Sequence, residues 1–113
     1  MEARKKMDAL KHENSPACVA FEYGMSTDKI DSAVIELNGR YPESGWALNT
    51  ACTALVHVIR GAGRARSEVG DVVLKEDDQL LIHPNEKYAL EGHMKLLFSA
   101  SPAWSPEQAR TID

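Results

Sequence analysis

From Ala17 onward the chain is cut by turn signals, and the segments between them are too short for anything but strands. The apolar or β-branched runs are Ala17–Tyr23, Ala33–Leu37, Thr53–Arg60, Arg64–Val69, Val72–Lys75, Gln79–His83, Lys87–Leu90 and Lys95–Ser99. Between them stand Gly24, Asn38-Gly39, Gly61-Ala62-Gly63, Gly70-Asp71, Pro84-Asn85 and Gly92, residues that bend or end a chain. Short runs at this spacing predict an all-β sandwich, jelly roll or small barrel. Asn38-Gly39 should end a strand, Gly61-x-Gly63 should bend the chain, and Gly70-Asp71 should turn a hairpin.

The two ends depart from this pattern. Residues 1–16 mix Arg4, Lys5, Lys6 and Lys11 with Glu2, Asp8 and Glu13, and read as a charged arm preceding a domain of residues 17–113. Ser105-Pro106-Glu107-Gln108 carries a Ser cap, a Pro at the first helical position and a Gln three after the cap, which predicts one short C-terminal helix. Trp104, just before it, should pack on the barrel.

Composition narrows the partners. The 113 residues make one domain's worth of chain, 43% hydrophobic and 27% charged. A net charge of −4 argues against nucleic acid as a partner. No apolar run approaches the ~18 residues of a membrane helix, and the first residues lack the apolar stretch of a secretory signal. A cytoplasmic protein with Cys18 and Cys52 as reduced thiols is the expectation. Neither cysteine stands in a zinc-type spacing.

The run 54–59 is apolar on both faces. Ala54, Val56 and Val58 share one parity, Leu55, His57 and Ile59 the other. One face belongs to a barrel interior and the other needs cover, so a homodimer through the outer face of strand 54–59 is expected, with His57 hydrogen-bonded in that face.

Three stretches in order then resemble a small single-domain cupin. Val58-Ile59-Arg60-Gly61-Ala62-Gly63 looks like the "V-L-x-G-x-G" turn of that family. The stretch from Glu76 to Asn85, reading EDDQLLIHPN, looks like "x-G-D-x-x-x-I-P-P-G", with Asn85 in place of the Gly. Lys87-Tyr88-Ala89-Leu90-Glu91-Gly92 stands where "x-H-x-x-x-G" usually stands, and the tail from Ser101 to Gln108 is similar to the end of a subgroup of small cupins. The resemblance implies a double-stranded β-helix, a jelly-roll barrel with a pocket at one mouth, and it favours a homodimer.

The same resemblance shows where the usual metal ligands are missing. Anchored on Gly61, the first motif puts its Glu position on Ala54 and its His-x-His pair on Leu48 and Thr50, or on Ala47 and Asn49. The His of the second motif falls on Tyr88. None of these is a good transition-metal ligand, so no metal and no cofactor are expected. What remains is a pocket lined by Leu48, Thr50, Cys52, Ala54, Val56 and Tyr88, with Trp46 and Tyr41 over its mouth. The expected function is a metal-free small-molecule-binding or accessory module. Two alternatives stay open. One is a metal-independent isomerase or epimerase with Tyr88 as acid and His83 as base, and the other is a metal enzyme with Cys52, His83 and Tyr88 as substitute ligands.

Overall fold

A computed structural model describes all residues, Met1–Asp113. The order is β1 (Leu10–Ser15), β2 (Cys18–Glu22), β3 (Asp31–Tyr41), β4 (Trp46–Asn49), β5 (Thr53–Ser67), β6 (Gly70–Lys75), β7 (Gln79–Ile82), β8 (Ala89–Ser101) and β9 (Ala109–Ile112). All pairings are antiparallel. One large sheet runs β1-β2-β3-β8-β5-β6, with β7 also on β5, and β4 pairs with β9 in a separate ribbon. An isolated bridge from Ala47 to Tyr88 ties that ribbon to the large sheet. The large sheet curls and the ribbon closes over its concave face, giving the all-β jelly-roll barrel implied above.

Alternation sets what faces inward. Cys18 and Ala20 on β2, Ile35 and Leu37 on β3, Val56 and Val58 on β5, and Met94 and Leu96 on β8 face the interior. Leu37, Leu74, Leu90, Leu96, Val56 and Val58 are fully enclosed, and Leu74, Leu96, Val56 and Val58 among them fill one end of the barrel. The expected parity of the run 54–59 holds. Val56 and Val58 point in, while Leu55 and Ile59 stay exposed. His57 lies outside, its Nε2 3.3 Å from Asp77 Oδ1 and its Nδ1 3.1 Å from Gln79 Nε2. The Gln79 amide donates to Nδ1, which leaves the ring proton on Nε2 for Asp77.

Several expected breaks are absent. β3 continues through Asn38-Gly39 to Tyr41, β5 continues through Gly61-x-Gly63 to Ser67, and β8 continues through Gly92. Gly39 pairs with Gly92, and Gly92 pairs with Gly63. The three glycines therefore form one row across β3, β8 and β5, along which the sheet folds without interrupting its ladders. Near the same line β5 carries a bulge between Val58 and Arg60 and exchanges partners, β7 before it and β6 after it. The hairpin at Gly70 forms as expected, with Ser67 paired to Gly70.

Both ends carry strands. Within the charged segment 1–16, Leu10–Ser15 forms an edge strand registered on β2 from Leu10–Glu22 to Ser15–Cys18. Its side chains are nearly all exposed, so it carries no apolar alternation to read. The expected C-terminal helix is a single 3-10 turn, Pro106–Gln108, followed by β9. Its cap does form: Gln108 Oε1 accepts the Ser105 N–H at 3.2 Å. The chain then pairs with β4 instead of continuing the turn, because strand hydrogen bonds to Trp46–Asn49 replace those of a helix that no apolar face would anchor. No helix is long and apolar enough to cross a membrane.

Candidate functional site

Between the concave face of the large sheet and the β4–β9 ribbon lies a cavity of about 240 Å³. β2, β3, β5 and β8 supply its floor, Ala47–Asn49 and Ala109–Thr111 its roof. Most of the lining is apolar, with Ala33, Ile35, Ala54 and Phe98 along the sheet and Leu90 paired with Tyr41. β9 has β4 as its only strand partner, and β1 has only β2. The barrel is thus left unzipped on one side, where exposed Asn14 faces the cavity from β1 and exposed Ala109, Arg110 and Thr111 face it from β9.

One end of the cavity collects two phenols and a thiol. Tyr41 closes β3, Tyr88 is fixed through backbone hydrogen bonds in both directions with Ala47, and Cys18 opens β2 opposite Leu37. Burial, first of all, pushes the Tyr88 phenol far above the ordinary tyrosine value, with Tyr41 and Cys18 adding to the shift. Burial raises Tyr41 in the same way, with Cys18 contributing. Burial raises the Cys18 thiol, partly opposed by the Asn14 amide, whose Nδ2 donates to Sγ at 3.7 Å. All three groups stay protonated at neutral pH. Tyr88 keeps part of its surface accessible and lines the cavity. No polar side-chain atom of the chain is both enclosed and unpartnered, so the two hydroxyls open onto the cavity.

The other end is more polar. Cys52 has almost no exposed surface, and its thiol donates toward Pro102 O and Gln108 Oε1, each at 3.1 Å. Its backbone N–H donates to Asn49 Oδ1 at 2.7 Å. Burial and the charge of Asp31 raise this thiol, which makes Cys52 a structural clasp between β4 and the C-terminal turn and a poor nucleophile. Asp31, Glu22, His83 and Trp104 line the same end.

Of the residues expected in the pocket, Leu48, Cys52, Ala54 and Tyr88 line the cavity, and His83 joins them. Thr50 is exposed in the turn after β4, its N–H bound to Gln108 O at 2.9 Å. Val56 sits in the filled end of the barrel, opposite Phe98 and Leu80. Tyr41 is a wall of the cavity rather than its cover, while Trp46 lies in the ribbon opposite Ile112. Trp104, expected as a packing anchor, is 43% exposed and faces the cavity. Cys18, Glu22 and Asp31 also line the cavity, and no motif announces them. The first two share a parity in the run Cys18–Glu22 that could have placed them. Asp31 precedes the point where the strand's apolar signal begins.

The residues present do not fit a metal. No three His, Cys, Asp or Glu side chains are grouped so as to hold one. Of the possible substitutes, the Cys52 thiol is engaged as a donor and Tyr88 lies in the phenol pair next to Cys18 and Tyr41.

The sequence matches no protein-family profile and no curated protein. Solved structures do match in shape. A His-to-Gln variant of Streptomyces PAC13 with uridine superposes with a TM-score of 0.89 at 14% identity, over 100% of this chain and 92% of that one. Pac13 is described as a unique nucleoside dehydratase. The polyketide cyclase RemF from Streptomyces resistomycificus gives 0.76 at 9% identity, covering 100% and 86%. An RmlC-like cupin from Shewanella frigidimarina gives 0.73 at 14% identity, covering 91% and 93%. The chain is a small domain of cupin fold.

Proposed function

We propose that the cavity binds a small, oxygen-bearing organic molecule without a metal, with the Tyr41 and Tyr88 hydroxyls donating to its oxygen. The carrying observation is a pair of protonated phenols opening onto an apolar cavity. A phenol hydroxyl facing apolar walls without a partner is costly, and a ligand oxygen placed between the two satisfies both. Burial that holds the phenols neutral also keeps them donors across the physiological range.

A second reading rests on Tyr88 and His83 lining one cavity. In an elimination of water, the Tyr88 hydroxyl would give its proton to the departing hydroxyl at one end of the cavity, and the proton of the neighbouring carbon would pass through an intervening water to His83 at the other end. The C–O bond breaks as the C=C bond forms, and no oxidant is needed. That the fold also occurs in a nucleoside dehydratase supports trying this chemistry first.

One experiment addresses both. Melting temperature is followed with nucleosides, uridine first, and with small ketones and alcohols, before and after EDTA, for the native protein and Tyr88→Phe. A true ligand at a hundred times its Kd stabilises by about 2.7 kcal/mol. Tyr88→Phe should bind it about tenfold more weakly, the size expected for one lost hydrogen bond to a buried acceptor. EDTA should leave the melt unchanged. Product formation lost in Tyr88→Phe favours the enzyme, and binding without product favours the module. A stoichiometric metal whose removal lowers the melt, or ligand affinity indifferent to Tyr88→Phe, overturns the proposal.

The partner in this reading is a second copy of the chain. The outer face of strand 54–59 offers exposed Leu55 and Ile59, with exposed Leu81 paired directly beside Leu55 on β7.

A further inference from the structure

The polar end of the cavity holds two carboxylates with nothing to neutralise them. Glu22 pairs with Ala33 across β2 and β3, and Asp31 lies two residues before Ala33 on the same face. Both carboxylates thus face the cavity from neighbouring strands, a diagonal step apart. The ion pairs of the chain use Glu2, Glu68, Asp71, Asp77 and Glu91, and neither Glu22 nor Asp31 takes part in any of them. The charge of Asp31 is felt inside the barrel, where it helps raise the Cys52 thiol.

An aromatic face completes this end. The Ala103 N–H donates to Asp28 O at 3.0 Å, which pins the turn carrying Trp104 against the segment leading into Asp31. Trp104 lines the cavity with a large part of its surface free. The positive groups in the lining do not answer the carboxylates. Arg110 folds back, its Nη1 donating to Glu107 O and Ala109 O, and His83 stands at the end of β7 with its ring outside every hydrogen bond and ion pair of the chain.

We infer that the cavity selects organic cations, an ammonium group lying between Glu22, Asp31 and the Trp104 face while the apolar body of the ligand runs along Ile35, Phe98 and Leu90. This rests on the proposed small-molecule site and names the class of molecule it takes. Two carboxylates attract the charge, and the indole quadrupole favours a cation over a neutral group of the same shape. The apolar middle of the cavity then holds the carbon skeleton, with the phenols at the far end left for an oxygen where the ligand has one.

Three probes with one carbon skeleton separate charge from shape: cyclohexylammonium, cyclohexanol and cyclohexanecarboxylate. Each is titrated into the full-length protein by calorimetry, at low and at high salt. The ammonium should bind about tenfold tighter than the alcohol, by a partly desolvated ion pair and cation–π contact, and should lose part of that margin in salt. The carboxylate should bind weakest. The double variant E22Q/D31N should erase the tenfold preference for the ammonium over the alcohol and its salt dependence, with the melting curve still cooperative. Trp104→Leu should narrow the margin without abolishing it. Alcohol and ammonium binding equally, or a margin that survives in E22Q/D31N, overturns the cation inference and leaves the small-molecule site standing. No binding by any of the three overturns both.

Discussion

At the scale of single residues, the site is governed by four protons that the fold refuses to release. Cys18, Cys52, Tyr41 and Tyr88 all have pKa values raised, each by burial before any other cause. In the unfolded chain the thiols ionise near 9.0 and the phenols near 10.0. The native state keeps these protons to higher pH, so above those values the unfolded state gains by releasing them first and stability falls. Melting temperature should accordingly be flat from neutral pH to about 9, then decline, and decline faster once the phenols begin to ionise. Tyr88→Phe should flatten the steeper part of that decline, since it removes the most strongly shifted group. A native melt that stays level to about pH 11, or a Tyr88→Phe protein with an unaltered alkaline slope, would refute this account. Tyr88 is legible in the sequence because it occupies a motif position with a known geometric role. Tyr41 is legible as a pocket residue but is a wall and not a cover, and Asp31 is not legible, because it sits at the start of β3, before the apolar alternation that announces a strand.

At the scale of elements, the glycines carry the right information in the wrong register. Taken one at a time along the sequence, Gly39, Gly63 and Gly92 suggest turns, yet pairing places them side by side across β3, β8 and β5. A turn and a fold line ask the same thing of a residue, a conformation or a closeness that a side chain forbids, so a single strand cannot distinguish them. At Gly92 the backbone has φ +135, and an added Cβ would stand 2.6 Å from the Ala62 carbonyl oxygen and from Gly63 Cα. Gly70 has nearly the same φ, +138, but nothing within 4 Å. Gly70→Ala should therefore cost only backbone strain, about 1–3 kcal/mol. Gly92→Ala adds a collision with backbone on β5 that no rotamer relieves, and it should unfold at distinctly lower denaturant than Gly70→Ala. Equal midpoints for the two variants would mean that the fold line has slack. At the C-terminus the local signal is sound and its reach is short. Ser105 and Gln108 do form a cap, but they cap one turn, because the strand partner at Trp46–Asn49 captures the chain immediately beyond it.

At the scale of the whole molecule, the barrel leaves its apolar surface unevenly distributed. On the outside of the large sheet, Phe21, Val34, Leu97 and His57 form a continuous row across β2, β3, β8 and β5. Leu55 and Leu81 extend it on one side, 42% and 49% exposed. A second apolar group, Val69, Val72 and Val73, lies on the β5–β6 hairpin, where β6 has β5 as its only strand partner. A lone chain with 6994 Å² of surface would have to commit roughly a tenth of it, about 800 Å², to a standard interface. The sheet face offers one continuous patch on which two copies could meet with the same residues, as a two-fold dimer requires. The hairpin patch is narrower and lies at a free strand edge, where pairing between copies would extend the sheet instead of covering it. Light scattering at micromolar concentration should accordingly give twice the 12.5 kDa of the chain. Leu55→Asp, which places a charge on the most exposed apolar side of the sheet face, should return the monomer with its melting curve still cooperative. Val73→Asp, on the hairpin, should leave the dimer intact. A native particle of one chain's mass removes the dimer, and a dimer that survives Leu55→Asp but dissociates with Val73→Asp moves the interface to the strand edge.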